Sequence, residues 1–222
     1  MEFKYRARLD PAAEAKRAGI DLNAGLSPGT ISTASKQPLA GNDALANAAA
    51  AHSQWMLDTD TFSHTGSGGS SPGARMSAAG YGFSGSWSWG ENIAWAGTTG
   101  TLNVLSMVNS EHSGLFKSAG HRTNMLNDNF REIGLGIETG NFSGYNAVMT
   151  TQDYAKSGSL AFLTGVAYND TDGNQFYSIG EGRGGVQFAA KLLNGATTTA
   201  TTASAGGYEM KLAAGTYDVT LS

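Results

Sequence analysis

Two kinds of chemistry are written into the residue types and spacings of this chain. The first is a run of oxygen donors, Asp170-Thr171-Asp172-Gly173-Asn174-Gln175-Phe176-Tyr177-Ser178-Ile179-Gly180-Glu181. Asp170, Asp172, Asn174, Ser178 and Glu181 fall at loop positions 1, 3, 5, 9 and 12, and the Phe176 carbonyl is available at position 7. Calcium takes about 6–8 oxygens at about 2.3–2.6 Å, and this spacing wraps a chain around one ion. A helix-loop-helix calcium hand wants Gly at position 6, where this chain has Gln175, and the flanks read as strands. The expectation is therefore a calcium loop on a β-domain, against the alternative of an Asx-rich turn without an ion. The second signal is His121 in Ser118-Ala119-Gly120-His121-Arg122-Thr123-Asn124-Met125-Leu126, at the start of a short helical segment just after a Gly. Free N–H groups at a helix start favour an anion or a polarised ligand. Phe62-Ser63-His64-Thr65 and Gly90-Glu91-Asn92-Ile93 are its candidate partners.

The elements that must position these residues follow from pattern. Asp10-Pro11 predicts a helix that stops near Gly19, followed by a long loop over residues 20–41. Asn42 or Asp43 opens a second helix to about Asp58, with Leu45, Ala48, Ala49, His52 and Met56 at helical spacing. On that stripe His52 reads as a packed core residue. Ser71-Pro72 caps a short helix ending at Gly80. Residues 81–100 are Gly-rich and carry Trp87, Trp89 and Trp95, either the cover of a loop-rich core edge or the wall of a ligand cleft. Leu102, Leu105, Val108, His112 and Leu115 form a helical stripe with Glu111 beside it. Ile133, Leu135 and Ile137 then alternate with Gly134, Gly136 and Glu138 as a half-buried strand, with Tyr145–Asp153 as its neighbour.

The expected class is α+β for residues 1–157, with a linker at Lys156–Ser159 and a small all-β sandwich over 158–222. That second part contains strands at Leu160–Tyr168, Val186–Leu193, Tyr208–Ala213 and Thr216–Leu221. Ala196–Ala205 reads as an exposed loop or edge strand.

Composition closes several doors. The 222 residues contain no Cys, which excludes disulfides, thiolate metal sites and a Cys nucleophile. Net charge is -4 with no basic run, which argues against a nucleic-acid partner. No apolar run reaches the length of a membrane helix, and no G-x-S-x-G elbow is present. The expectation is a bacterial secreted protein whose export signal is not in this chain.

Taken in order, F-S-H-T-G, R-M-S-A-A-G-Y, G-E-N-I-A-W, S-A-G-H-R-T-N-M-L, R-E-I-G-L-G and T-Q-D-Y resemble the CAP superfamily in its bacterial SCP-like form. This is the fold of cysteine-rich secretory proteins, antigen 5 and plant pathogenesis-related proteins. The resemblance covers residues 5–155 and implies an α-β-α sandwich with an open cleft. It places His64, Glu91 and His121 there, with the two His as ligands for zinc or another divalent ion and Glu91 accepting from a bound water. The family's second Glu has Glu111 as its counterpart, with His112 competing. The ligand expected in the cleft, with the Trp residues lining it, is a small molecule, lipid, glycan or peptide. A metal-dependent hydrolase with Glu91 as general base is the alternative, and a structural or adhesive surface module is a third reading. The segment from Val166 to Phe188 resembles the calcium-bound β-modules of bacterial surface proteins, the SdrD B-like and related prealbumin-like repeats. In those modules the ion stiffens a spacer, and the resemblance implies that this chain stops short of a complete module.

Overall fold

Asp10 both ends one helix and starts the next. Helix α1 (Glu2–Leu9) runs into it. At the start of α2 (Pro11–Ala18) its carboxylate accepts the Ala13 N–H at 2.9 Å, and Gly19 closes that helix at φ 68°. Sequence pattern predicts α2 but not α1, because the buried side of α1 is cationic rather than an apolar stripe. Arg8 is 1% exposed and donates to the Gln37, Met125 and Asn127 carbonyls at 2.7, 2.9 and 3.1 Å. The computed structural model describes residues 2–159, 161–193 and 195–222. They fall into two units, Met1–Gly158 and Ser159–Ser222.

In the first unit, the loop after α2 ends in a two-residue strand, β1 (Ala40–Gly41). Asn42 then caps α3 (Asp43–Asp58). A turn-rich loop with one 3₁₀ turn at Ser67–Gly69 leads to α4 (Pro72–Ala78), capped by Ser71. The Gly-rich, Trp-bearing region is not a loop but a twelve-residue strand, β2 (Trp87–Thr98). Helix α5 (Val104–Lys117) and the short α6 (Ala119–Met125) follow, then β3 (Glu132–Phe142) and β4 (Tyr145–Ser157). The sheet order is β1-β3-β4-β2, with β1 parallel to β3 and the other pairs antiparallel. Lys156 and Ser157, expected in a linker, are β4 residues opposite Ser88 and Trp87.

Helices cover both faces of this sheet. On one face α3 lies directly on the backbone of β3. A Cβ at Gly134 would fall 2.1 Å from the Leu45 carbonyl carbon, and one at Gly136 2.2 Å from that of Ala49. The Ala-rich α3 and the two glycines are complementary: each removes the side chain that would hold the other off. The alternation in β3 is therefore real, but its small-residue side carries the closest packing. On the other face Ile133 packs with Ala7, Ala15, Leu115, Phe116, Met125 and Tyr154, while Ile137 at the far end is 40% exposed. The stripe expected on α5 also shifts. Leu105 is 56% exposed, and the buried side is Glu111, His112, Leu115 and Phe116.

The second unit contains two sheets. One pairs β5 (Ala161–Val166) with β8 (Gly207–Leu212); the other has the order β7-β6-β9, from β6 (Gln187–Leu192), β7 (Thr197–Thr201) and β9 (Tyr217–Leu221). Leu160, expected to begin the first strand, lies outside the described residues. Ala190, Met210 and Leu212 are the buried centre, and the Phe188 and Tyr208 rings stack at 3.8 Å between centroids. The low-complexity Thr/Ala stretch supplies the edge strand β7.

Candidate functional site

Glu91 sits on β2, which in this sheet pairs with β4 alone and so offers its other edge to the neighbouring loops and helices. Its side chain is 1% exposed, yet both oxygens are engaged. Oε2 accepts from Arg75 Nη2 at 2.5 Å and Oε1 meets His64 Nδ1 at 2.7 Å. The carboxylate can only accept, so Nδ1 carries the proton, and in the neutral ring Nε2 holds the lone pair. The His64 side chain is 53% exposed, with Nε2 on the ring edge away from the Glu91 bond.

The loop holding His64 is pinned from beneath. His52 Nε2 bonds the Ser63 carbonyl at 2.9 Å, and Arg75 Nη1 donates to the carbonyls of His64 (3.0 Å) and Ser70 (2.9 Å). Gly66 is required here, since a Cβ would meet Ser70 Oγ at 2.9 Å and Arg75 Nη1 at 3.1 Å. Arg75 thus fixes both the carboxylate and the loop whose histidine that carboxylate orients.

His121 is the third residue of α6, with Nδ1 2.8 Å from Ser118 Oγ. Asn92 Nδ2 donates to the His121 carbonyl at 3.2 Å. Asn124 Nδ2 donates to the Glu91 carbonyl at 3.2 Å and to Asn92 Oδ1 at 2.9 Å, tying α6 to β2. Arg122 is fully buried and donates to the Leu22, Phe116, Lys117 and Ala24 carbonyls, fastening α6 to the loop after α2. Burial lowers the His121 pKa, and the neighbouring His64 and Lys4 lower it further, which favours the neutral, lone-pair-bearing ring. The ligand atoms of His64, Glu91 and His121 do not form a group of three all within 4.8 Å of one another among the described residues.

Glu111 and His112 are adjacent but belong to different neighbourhoods. Glu111 accepts from Thr150 Oγ1 and from the Ala96 amide of β2, while its Oε1 is buried without a partner. Burial outweighs those two donors and pushes its carboxyl up to about 7. His112 turns toward α2, with Nε2 2.9 Å from Glu14 Oε1 and its ring stacked on Phe3. Burial alone would raise Glu14, but hydrogen bonds from His112 and Arg6 pull its carboxyl down to about 2. Neither Glu111 nor His112 is brought to Glu91.

The three tryptophans share one face of β2 with Glu91 and Ile93 but do not converge. Trp87 leans on Phe83 (5.1 Å), Trp89 fills the space over Gly73 of α4, and Trp95 packs on Phe142 (4.8 Å) and Tyr145 (6.3 Å). Arg75, Asn92, Ser118, Asn124 and Asp153 carry roles that residue-type reasoning left unassigned, although each lies inside one of the short stretches quoted above.

In the second unit the carboxylate oxygens of Asp170, Asp172 and Glu181 lie within 4.8 Å of one another. Glu181 Oε1 accepts from the Thr171 amide (2.7 Å) and hydroxyl (2.8 Å), and Oε2 from the Ser178 amide (2.8 Å). These bonds lower its pKa, the Ser178 amide foremost. Ser178 Oγ and Asn174 Nδ2 both donate to Asp172 Oδ2 at 2.8 Å, and the Gln175 amide donates to Asp170 Oδ2 at 3.0 Å. Gln175, at loop position 6, has φ 59°, the left-handed conformation a glycine would adopt freely.

Residues 4–154 match the model of CAP, the cysteine-rich secretory protein family, and the chain belongs to this family despite having no cysteine. Among solved structures, it is similar to an extracellular protein containing an SCP domain from Bacillus anthracis. Identity there is 28% and the TM-score 0.43, over 55% of this chain and 35% of that one, so the chain spans about a third of that protein's length. It is also similar to an outer surface protein of Borrelia burgdorferi, at 17% identity and TM-score 0.42, over 67% of this chain and 92% of that one. No curated protein matches the chain.

The Glu111 carboxyl predicts a pH signature. Its pKa is raised from 4.5 to about 7 in the folded protein. The stability it contributes is full below about pH 4.5 and is lost as pH rises to about 7. Over that window the stability advantage of the wild type over Glu111→Gln should shrink on the order of 3 kcal/mol. Urea unfolding at stepped pH measures it, and a pH-independent difference would contradict the assignment.

Proposed function

We propose that the first unit is an extracellular CAP cleft that offers the Nε2 atoms of His64 and His121 to a divalent cation such as zinc, or to a polar group of a small-molecule, lipid, glycan or peptide ligand. One observation carries this reading: both Glu91 oxygens are already engaged, by Arg75 and by His64 Nδ1. A general base needs a free acceptor within reach of the proton it takes. The Glu91 side chain is 1% exposed and so presents no acceptor to a water in the cleft; it serves better as the carboxylate that fixes a ligating imidazole's tautomer and direction. The binding reading is thereby favoured over the metal-dependent hydrolase. His121 fits the same pattern when its Nδ1 donates to Ser118 Oγ. The setting is consistent with the family and its extracellular and surface neighbours, and no helix among the described residues is long and apolar enough to cross a membrane.

Zinc titration by calorimetry, with calcium saturating, tests the cleft. Wild type should bind, His64→Ala/His121→Ala should not, and Glu91→Gln should weaken binding by about 10- to 100-fold. Equal binding by wild type and the double variant would sink the assignment.

A second reading concerns the other unit, favoured by the convergence of Asp170, Asp172 and Glu181. These carboxylates, with Asn174, Ser178 and the Phe176 carbonyl, form a calcium loop that stiffens the β-module. Asx-type turns alone would also give some of the bonds within the loop, so the ion must be tested directly. At a hundredfold excess over its dissociation constant, calcium should stabilise the folded unit by about 2.7 kcal/mol. EGTA should remove that shift in a melting experiment, and Asp170→Ala/Asp172→Ala should lack it. Identical melting with and without EGTA would contradict the reading.

A further inference from the structure

Behind Glu91 lie buried polar atoms that have no hydrogen-bond partner among the described residues. Asp153 is fully buried and stands opposite Glu91 in the β2–β4 ladder, while its partner on β3 is Gly134. Neither Asp153 oxygen meets a donor, and Arg75 Nε and His52 Nδ1 are also buried without partners. The group beside Asp153 is the Glu91 carboxylate, itself an acceptor. Arg75 donates from Nη2 to Glu91 and from Nη1 to two loop carbonyls, and no hydrogen bond joins it to Asp153. Two carboxyl groups side by side and shut away from water cannot both be anions; a proton between them is what allows the pair to exist.

We propose that Asp153 is carried as a neutral carboxylic acid that donates its proton to Glu91, and that it is thereby a positioning residue for His64. Glu91 then receives a donor from each of three elements: Arg75 on α4, His64 in the loop and Asp153 on β4. Three donors from three directions hold the carboxylate in place, and the His64 ring is aimed by the result. The charged and titratable groups around the pair are Arg75, His52 and His64, with Tyr154 beside Asp153 on β4. Burial, with Glu91 next, raises the Asp153 carboxyl well above the usual carboxylate range, in keeping with this state. The purpose of the arrangement rests on the reading of His64 as a ligand donor, but the test below needs no metal.

The protein is labelled with carboxyl-¹³C aspartate and compared with Asp153→Asn by NMR. At neutral pH one aspartyl carboxyl should show the chemical shift of the acid, and that signal should be missing from Asp153→Asn. The substitution exchanges one neutral hydrogen-bonding group for another, so the His64 ring should keep the Nδ1–H form in Asp153→Asn, read from its ring ¹⁵N signals. An Asp153 signal in the carboxylate position, or a His64 ring that loses its Nδ1 proton in Asp153→Asn, overturns the proposal. Zinc affinity adds an independent arm: about unchanged in Asp153→Asn and about 10-fold weaker in Asp153→Ala. If wild type binds no zinc, the cation reading fails while the two NMR signals still decide the state of Asp153.

Discussion

The Glu91 carboxylate is the constraint on which the rest of the site depends. A buried anion is costly unless paired and fully hydrogen-bonded, and leaving one partner out costs more than the pair contributes. Arg75 meets that demand from α4 and His64 from the loop. The same Arg75 also holds the loop carbonyls, so α4, the loop and β2 are locked through one side chain. The electrostatic requirement of one residue thereby sets the orientation of another whose opposite nitrogen lies on the ring edge away from that bond.

A chain without cysteine must fasten long irregular segments by other means, and here buried guanidinium groups do so. Arg122 gathers four backbone carbonyls from the loop after α2 and the end of α5, and Arg8 gathers three from the segment before β1 and the end of α6. The planar fork of Arg suits this, because it satisfies several orphan carbonyls with one buried charge. The consequence is local to the site. His121 lies next to Arg122 on a seven-residue helix too short to persist alone, so its position is set by these bonds and by Asn92 and Asn124.

How far the fold was legible in sequence follows from where local signals coincide with tertiary demands. Asp10-Pro11, Asn42 and Ser71-Pro72 are caps whose chemistry is complete within a few residues, and the helices begin there. Helix α1 was not legible, because its buried side carries Arg8 and Lys4 rather than an apolar stripe. Strand β2 was obscured by Gly90 and Gly97, which allow Phe130, Asn124 and Tyr145 to approach and so make sense only in three dimensions. Of the site, His64, Glu91 and His121 stood out by residue type and company. Arg75 and Asp153 did not, since an Arg on a short helix and an Asp in a strand declare a role only when the sheet register sets Asp153 against Glu91.

The central claim is that Glu91 fixes His64 with its proton on Nδ1 and its lone pair on Nε2, and the most direct measurement is the ring tautomer itself. Long-range ¹H–¹⁵N correlation spectra of the metal-free protein at neutral pH, assigned with Glu91→Gln and His64→Ala, report which nitrogen is protonated. The account predicts His64 as the Nδ1–H tautomer in the wild type, with a mixture of tautomers once Glu91 is replaced. A wild-type His64 protonated on Nε2, or a tautomer indifferent to Glu91→Gln, would contradict it.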